Sequence, residues 1–235
     1  MSVIRNWSFS VRNAIVLSLI GLLQLYLSFS MNGIKWLLIW SAVSFMIAGM
    51  SYIWFGPRVF GKKPDGKLDK WRVLVMLPFL LLIWMKWRIS KFLANEECWN
   101  KIIPNLYLGR RAFANELPDD IIMIVDLAAE FPAPINVESV AEYLSCPTLD
   151  NSAMDLKLLQ KSVNSITACR GGVYVHCAQG HGRSATVVGA VLLARGVAGN
   201  TEEAVALMKK ARPKVLLNRH QRRLLNRFIK KINSH

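Results

Sequence analysis

Residues 1–93 hold two predominantly apolar runs that are each long enough to cross a lipid bilayer, and no other feature of the chain restricts its fold as strongly. The first run covers residues 14–31 and the second covers residues 34–55. A helix needs about 20 apolar residues to span the hydrocarbon core. Only Asn32 and Gly33 separate the runs, so we expect a tight helical hairpin in a membrane. The first run lacks a clear small-residue cleavage site, which argues against a cleaved signal peptide.

A third apolar segment, residues 73–85, is only 13 residues long and contains Pro78. Tryptophan and basic residues flank it on both sides. Its length is compatible with a buried helix, with a segment that lies in the membrane interface, or with a short span. Whether this segment crosses the membrane decides on which side the remainder of the chain lies.

Positive charge flanks the apolar runs unevenly. Arg5 and Arg12 precede the first run, and only Lys35 lies at the turn to the second. The loop 56–72 that follows the second run is rich in basic residues, namely Arg58, Lys62, Lys63, Lys67, Lys70 and Arg72. The positive-inside rule therefore places the N-terminus and this loop in the cytoplasm. If the third segment does not cross, the C-terminal part of this multi-pass membrane protein is also cytoplasmic.

The C-terminal part, residues 94–235, has the pattern of a separate globular domain. A single soluble domain does not combine 53% hydrophobic residues with a net charge of +15 unless the two are segregated, as they are here. Strands are predicted at residues 103–108, 121–127, 140–146 and 172–176. Helices are predicted at residues 154–168, 184–195, 201–211 (with Thr201 as N-cap) and 218–232. This alternation predicts an α/β fold with a central sheet flanked by helices.

The four cysteines, Cys98, Cys146, Cys169 and Cys177, are irregularly spaced. They form no CxxC pair and no cluster with histidine, which argues against a zinc site. Their low number also argues against a disulfide framework. We expect Cys98, Cys146 and Cys169 to be buried as small apolar residues, and we expect no metal and no cofactor.

Cys177 is different because a glycine-rich loop follows it. The predicted buried strand at 172–176 leads into the residues HCAQGHGRS, and an apolar helix begins after them. Five residues separate Cys177 from Arg183, and they are the expected substrate-binding residues: Ala178, Gln179, Gly180, His181 and Gly182. A loop of this length can curl around a phosphate so that its N–H groups point at the anionic oxygens. The two glycines permit the unusual backbone angles that this requires.

Each of the other side chains in this segment has a place in phosphate chemistry. The N-terminus of the following helix favours negative charge, and it therefore stabilises Cys177 as a nucleophilic thiolate. Arg183 can clamp two phosphate oxygens with its planar guanidinium. Ser184 can donate its hydroxyl to the sulfur when the sulfur leaves, and His176 can orient the loop. This pattern predicts attack by Cys177 on phosphorus and hydrolysis of the resulting phosphocysteine by water.

The stretch HCAQGHGRS resembles the signature of the dual-specificity branch of the protein tyrosine phosphatase superfamily. Two further stretches are similar to that family. Residues 103–109, which read IPNLYLG, look like its opening strand. Its closing helices are matched by Ala211, Arg212, Pro213, Asn218, Gln221, Leu225 and Phe228. The resemblance covers nearly all of residues 100–231 and implies a dual-specificity-phosphatase-like fold.

In that family an aspartate on a loop before the cysteine acts as the general acid. Asp150, which directly follows a predicted strand, is the corresponding candidate. Asp155 is the competitor, but it falls within a predicted helix, where a capping or surface role is expected. Asp126 and Glu130 are expected to be structural. His181 is expected to project from the rim of the loop, either towards substrate or into solvent.

The sequence leaves the substrate open between two classes. One is phosphotyrosine, phosphoserine or phosphothreonine on proteins near the membrane; the other is a lipid phosphate, such as a phosphatidylglycerophosphate or phosphoinositide headgroup. Ten basic residues and no acidic residue between Lys209 and Lys231 favour anionic headgroups. The loop favours a protein substrate, because lipid-directed relatives often carry Lys or Arg inside it.

Two further hypotheses belong to other classes. The basic residues are compatible with nucleic-acid binding, but no aromatic-interleaved platform accompanies them, so we expect no nucleic-acid partner. A membrane-anchored phosphate-binding module without catalytic activity would be expected to lack Cys177, Arg183 or the acid, and all three are present.

Overall fold

The computed structural model describes residues 8–31, 33–93, 95–134 and 140–233. The predicted topology rests partly on Arg5 and the predicted hairpin turn on Asn32, and both residues lie outside the described residues. The chain divides into two compact units. One holds the apolar helices together with Ala129–Phe131, and the other holds the sheet and its helices together with Pro64–Gly66.

The first unit contains three helices, α1 (Ser8–Ser28), α2 (Lys35–Met50) and α3 (Lys70–Leu93). A π-helical turn (Ser51–Phe55) and a 3-10 turn (Gly56–Phe60) extend α2. Within the described residues, three stretches are long and apolar enough to cross a membrane: Val11–Ser28, Lys35–Phe60 and Lys70–Leu93. The third is longer than the predicted apolar segment 73–85, because the flanking tryptophan and basic residues continue the helix.

Small residues allow α1 and α2 to pack closely. A Cβ atom added to Gly49 would lie 2.9 Å from the carbonyl oxygen of Ala14, and one added to Gly21 would lie 2.9 Å from that of Ala42. Helices in an apolar medium associate through such close backbone contact, since lipid tails offer no hydrophobic driving force. The predicted hairpin of the two apolar runs is therefore present as a tightly packed helix pair.

Pro78 lies inside α3, and residues of α2 compensate for it. Proline has no N–H, so the carbonyl of Leu74, four residues earlier, loses its helical hydrogen bond. The indole Nε1 of Trp40 donates to this carbonyl at 3.1 Å. The N–H of Phe79 donates to the hydroxyl of Ser44 at 3.2 Å. A polar backbone group in an apolar surrounding must find such a partner, and α2 supplies it.

The second unit is built on a five-stranded sheet with the order β1-β2-β5-β3-β4. The strands are β1 (Trp99–Ile103), β2 (Leu106–Arg110), β3 (Ile121–Ala128), β4 (Glu142–Thr148) and β5 (Gly172–Cys177). β1 is antiparallel to β2, and the other neighbours are parallel. The helices are α4 (Leu156–Ala168), α5 (Arg183–Ala194), α6 (Thr201–Ala211) and α7 (Arg219–Ile232). The α/β fold with a central sheet and flanking helices is confirmed.

Two local predictions were wrong. The single strand predicted at 103–108 is instead a hairpin, in which Pro104 and Asn105 form the turn between β1 and β2. Asn105 has a φ of +61°, a left-handed conformation that asparagine tolerates better than most residues. The N-cap of α6 is Asn200 rather than Thr201, since the Asn200 side chain accepts the N–H of Glu203 at 2.9 Å.

Alternation along the strands sorts the core into two layers. The side facing the helices carries Leu106, Leu108, Met123, Val125, Leu127, Val173, Val175 and Cys177. The opposite side carries a smaller cluster around Tyr107, Ile124 and Tyr174. Cys177 is the last residue of β5, the central strand. Its side chain therefore emerges at the carboxyl edge of the sheet, on the side of the helices, which is where α/β proteins bind ligands.

Candidate active site

Cys177 is buried, and its sulfur is surrounded by hydrogen-bond donors. The N–H of Gly180 points at Sγ from 3.2 Å, and Oγ of Ser184 lies 3.3 Å away. Arg183 and Ser184 open α5, so the N-terminal end of this helix is aimed at the same sulfur. Backbone N–H groups and a helix N-terminus together favour negative charge at this point.

The loop from Ala178 to Gly182 has an inner and an outer face. Its carbonyl groups point outward, where each accepts a hydrogen bond. Ala178 O accepts from the N–H of Arg111, and His181 O accepts from the N–H of Leu216. Gly182 O accepts from Thr186 of α5. Because the N–H groups of a curled peptide segment point opposite to its carbonyls, they are left on the inner face.

Gly180 makes the curl possible. Its φ is +79°, and a Cβ atom at this position would overlap the backbone of Gly109 and Arg110 in β2. A side chain would therefore be strained by its backbone angle and blocked by the neighbouring strand. The predicted need for glycine at this position has a direct structural reason.

Arg212 holds the outer face of the loop. Its side chain is fully buried, and its guanidinium donates to Gly180 O and Gln179 O, each at 3.1 Å. The same group donates to Glu97 O at 3.1 Å and to Oδ1 of Asn100 at 2.9 Å. The planar fork of arginine suits this arrangement, since one rigid group can join two loop carbonyls to a second segment.

Arg183 lies on the inner side, with its side chain almost fully buried. Its guanidinium donates to the carbonyl of Thr148 at 2.8 Å and lies 3.2 Å from Oδ1 of Asp150. Asp150 follows β4, and its side chain is 61% exposed. The sequence-predicted Cys177, Arg183, Ser184 and Asp150 thus meet at the N-terminus of α5.

The turn that carries Asp150 is held by the start of α7. Asn218 caps this helix with its Oδ1 and donates from Nδ2 to Asn151 O at 2.8 Å. Gln221 donates from Nε2 to Ser152 O at 3.2 Å. The competing Asp155 is the N-cap of α4, where its side chain accepts the N–H of Lys157 at 2.8 Å. Asp155 therefore has the capping role that its position suggested.

His176 is fully buried beneath the loop. Its Nδ1 lies 3.4 Å from the carbonyl oxygen of Cys177, and its ring stacks on that of Tyr174. Asp126, also fully buried, lies 3.8 Å from Nε2 and accepts the hydroxyl of Tyr143 at 2.7 Å. Burial, together with Asp126, raises the pKa of Tyr143, which keeps the phenol protonated as a donor. Asp126 thus belongs to a buried polar network, and Glu130 is also buried.

His181 does not project freely from the rim. Its Nε2 lies 2.7 Å from Oε2 of Glu96, and its side chain is only 26% exposed. Burial lowers the pKa of His181, Glu96 opposes this, and Arg212 and Lys214 add to the lowering. The imidazole is therefore expected to be largely neutral at pH 7 in the unliganded protein.

Two residues of the site were missed from sequence. The sequence points to Arg212 only through the family resemblance, and nothing in it predicts a role for Glu96. The Arg212-Pro213 pair directly after a predicted helix was the available signal for the first. No local pattern marks Glu96, because its partners lie far along the chain.

The cysteines are all free thiols. Cys146 is fully buried as expected, whereas Cys98 and Cys169 are partly exposed at the edges of the core. Among the residues that the structure describes, no group of three or more His, Cys, Asp or Glu is placed to hold a metal ion.

Comparison with known proteins agrees with this geometry. The family model "Dual specificity phosphatase, catalytic domain" matches residues 107–231. A search of curated proteins found no match. Among solved structures, PTPMT1 in complex with PI(5)P is 24% identical with a TM-score of 0.54, covering 58% of this chain and 97% of that chain.

Two further solved structures have the same fold. Human DUSP28 is 22% identical with a TM-score of 0.53, covering 59% of this chain and 97% of that chain. A mouse putative dual specificity phosphatase complexed with zinc tungstate is 25% identical with a TM-score of 0.53, covering 60% of this chain and 92% of that chain. Since the family model matches more than half of the sequence, the chain belongs to the dual-specificity phosphatase family and is a cysteine-based phosphoric monoester hydrolase.

Proposed function

We propose that the protein is a membrane-anchored phosphatase, in which residues 1–93 form the anchor and residues 94–235 form the catalytic domain. The observation that carries the proposal is the meeting of Cys177, Arg183, Ser184 and Asp150 at the N-terminus of α5. The three apolar helices α1, α2 and α3 support membrane anchoring.

In the first chemical step, the thiolate of Cys177 attacks phosphorus and the bond from phosphorus to the leaving oxygen breaks. The inner N–H groups of the loop and the guanidinium of Arg183 bind the anionic phosphate oxygens. The incoming phosphate replaces the Asp150 carboxylate as the partner of Arg183. Asp150, in its protonated form, gives its proton to the leaving oxygen, and its exposed position leaves room for that group.

In the second step, water attacks the phosphorus of the phosphocysteine and the sulfur–phosphorus bond breaks. Asp150, now ionised, accepts a proton from the water. The hydroxyl of Ser184, 3.3 Å from Sγ, donates a hydrogen bond to the departing thiolate. We propose that His176 orients the loop through its contact with the Cys177 carbonyl.

The first substrate class that we propose is phosphorylated protein near the membrane. Between Cys177 and Arg183 the loop carries no lysine or arginine, and His181 in this stretch is paired with Glu96. A monoester of tyrosine, serine or threonine presents a single phosphate, and the inner N–H groups and Arg183 are sufficient to bind it.

A lipid phosphate is the second candidate, and one observation favours it. Segment 213–217 runs beside the loop, where Leu216 bonds to His181 through its backbone N–H. In this segment Lys214 is exposed and close enough to act electrostatically on His181, and the side chain of Leu216 is 69% exposed. A cation and an exposed apolar side chain beside the catalytic loop suit a phosphorylated headgroup in a bilayer. The solved structure of PTPMT1 contains PI(5)P, a lipid of this kind.

Offering both substrate classes to the full-length protein in bilayers tests the proposal. Phosphopeptides and phospholipids are compared for phosphate release, with an aryl phosphate as a general substrate. Cys177→Ser is expected to abolish release from all of them, whereas Cys169→Ser, a matched control at a partly exposed cysteine, keeps it. Equal release by wild type and Cys177→Ser would contradict catalysis by Cys177, and release by neither protein would support the inactive phosphate-binding module.

We also propose that the catalytic domain lies in the cytoplasm, where a reactive thiolate stays reduced. α3 is about 36 Å long at 1.5 Å per residue, enough to cross a bilayer. If α3 crosses, the N-terminus lies on the opposite side of the membrane; if α3 lies in the interface, both ends of the chain are cytoplasmic.

All four cysteines follow α3, so a membrane-impermeant maleimide reports the side of the catalytic domain. We expect the maleimide to label the cysteines only after the cells are permeabilised. Labelling in intact cells would contradict a cytoplasmic catalytic domain.

A further inference from the structure

The segment that joins α3 to β1 contacts the catalytic loop from its outer side. Glu96 and Glu97 lie in this segment, close after the end of the third apolar helix. Oε2 of Glu96 lies 2.7 Å from Nε2 of His181 and 3.3 Å from a guanidinium nitrogen of Arg212. Glu97 adds its backbone carbonyl, which accepts from Arg212 at 3.1 Å.

Glu96 is the single carboxylate that pairs with Arg212 among the described residues. The arginine side chain is fully buried, and a buried charge needs a partner of opposite sign. The same carboxylate oxygen also bonds to His181, which is itself part of the loop. One side chain thus joins His181 of the loop to Arg212, which holds two carbonyls of the outer face.

The burial of Glu96 indicates that this contact is specific. Its side chain is only 12% exposed, although a glutamate in an irregular segment is normally solvated. Its second oxygen, Oε1, is buried and has no hydrogen-bond partner within the described parts of the chain. Burial of a carboxylate under these conditions is unfavourable unless the bonds of its other oxygen compensate for it.

We propose that Glu96 is a positioning residue of the active site, which fixes the catalytic loop through His181 and Arg212 and makes the segment after the membrane helices part of the catalytic unit. The inference rests on the proposed function, since it concerns the same loop. Glu96 touches no reacting atom. It keeps the carbonyls of Gln179 and Gly180 turned outward through Arg212, so that the N–H groups stay directed at the phosphate.

The first test compares Glu96→Gln with Glu142→Gln in the full-length protein in bilayers. Glu142 is an exposed glutamate at the start of β4, at the sheet edge opposite to the loop. Glu96→Gln is expected to lower kcat/KM by about tenfold, because it removes charge-assisted bonds to two loop-shaping groups. The inhibition constant of inorganic phosphate is expected to rise by a similar factor, and Glu96→Asp is expected to recover part of the loss.

The second test follows the titration of His181 by NMR with labelled histidine. Glu96, Arg212 and Lys214 are the charged groups that act on this imidazole. The carboxylate of Glu96 favours the protonated ring, so removing its charge is expected to lower the pKa of His181 further. Glu142→Gln is expected to leave that pKa unchanged. A loss of fold would not shift His181 alone, so this measurement separates positioning from general destabilisation.

The outcomes separate the two proposals. If Glu96→Gln matches Glu142→Gln in kcat/KM, phosphate inhibition and His181 titration while Cys177→Ser is inactive, the positioning role is wrong and the proposed function stands. If Cys177→Ser is as active as wild type, the proposed function itself is wrong. If Glu96→Gln does not fold, Glu96→Asp is used in its place. A Glu96→Asp protein with the kcat/KM of wild type and an unchanged pKa of His181 then overturns the positioning role of Glu96.

Discussion

The two faces of the catalytic loop are built in different ways. The inner face is made by neighbours in sequence, because Cys177, the loop N–H groups, Arg183 and Ser184 follow one another within one strand–loop–helix unit. The outer face is made by distant segments, since its four contact residues come from three other places in the chain: Glu96 before β1, Arg111 after β2, and Arg212 and Leu216 between α6 and α7. The inner face binds and reacts, whereas the outer face keeps the loop in shape. Arg183 belongs to the inner face and Arg212 to the outer face, so substitutions of these two arginines should affect catalysis differently.

Arg183→Lys should have the largest effect. Lysine keeps the charge but loses the planar fork that can bind two phosphate oxygens. We expect kcat to fall on the order of a thousandfold while the folded state persists. Steady-state kinetics with an aryl phosphate measure this, with Arg222→Lys on the surface of α7 as the matched control. A loss below tenfold would show that the inner face does not depend on bidentate binding.

Asp150→Asn tests the acid at the inner face and should lower kcat about a hundredfold for substrates with poor leaving groups. The pH–rate profile should also lose its fall on the basic side, because that fall reports loss of the proton from the acid. Asp155→Asn is the control, since asparagine is an equally good N-cap for α4. The assignment fails if Asp155→Asn, rather than Asp150→Asn, removes the basic limb.

Arg212→Lys tests the outer face and should be milder. A lysine ammonium cannot reach two loop carbonyls and the 96–100 segment together, so the loop becomes less ordered. We expect a loss of roughly thirtyfold in kcat/KM, because misplaced groups bind the transition state poorly. Thermal unfolding of the same variant shows how much of the loss is stability. If Arg212→Lys lowered kcat/KM as much as Arg183→Lys does, the two faces of the loop would not differ in their contribution to catalysis.

Asn218→Ser should have the smallest effect of the series. Serine still caps α7, but it is too short to donate to Asn151 O, so the turn that carries Asp150 loses one support. A decrease of about threefold in kcat is expected, larger for alkyl than for aryl phosphates. Asn200→Ser, the same change at the N-cap of α6, should leave kcat unchanged. Equal effects of the two substitutions would indicate a change in helix stability alone.

The difference between the inner and outer faces of the loop also explains which site residues could be predicted from sequence. The strand, the glycine-rich loop and the apolar helix form one local pattern, and the chemistry of Cys177 and Arg183 follows from their spacing. Asp150 could be proposed because the family that HCAQGHGRS resembles carries its acid on a loop before the cysteine, and Asp150 directly follows a predicted strand. Glu96 could not, because nothing near it in sequence indicates that it meets His181.

The same limit applies to the three apolar helices. The apolar runs predicted α1 and α2, but not where α3 begins and ends. The apolar segment ends at the flanking tryptophan and basic residues, whereas the helix continues through them to Leu93. Long basic side chains can extend along an apolar surface and keep their charge in water, so they do not interrupt such a helix. The support that Trp40 gives to Leu74 O also depends on packing between α2 and α3, which no local pattern encodes.

The most direct test of the central claim is to trap the covalent intermediate. Full-length protein in bilayers is mixed with an aryl phosphate, stopped with denaturant within one turnover, and analysed by peptide mass spectrometry. We predict phosphate on the peptide that contains Cys177, attached to sulfur, with aryl alcohol released in a burst equal to the enzyme concentration. Phosphate on any other residue, or hydrolysis with no burst and no phosphorylated Cys177, would contradict the account.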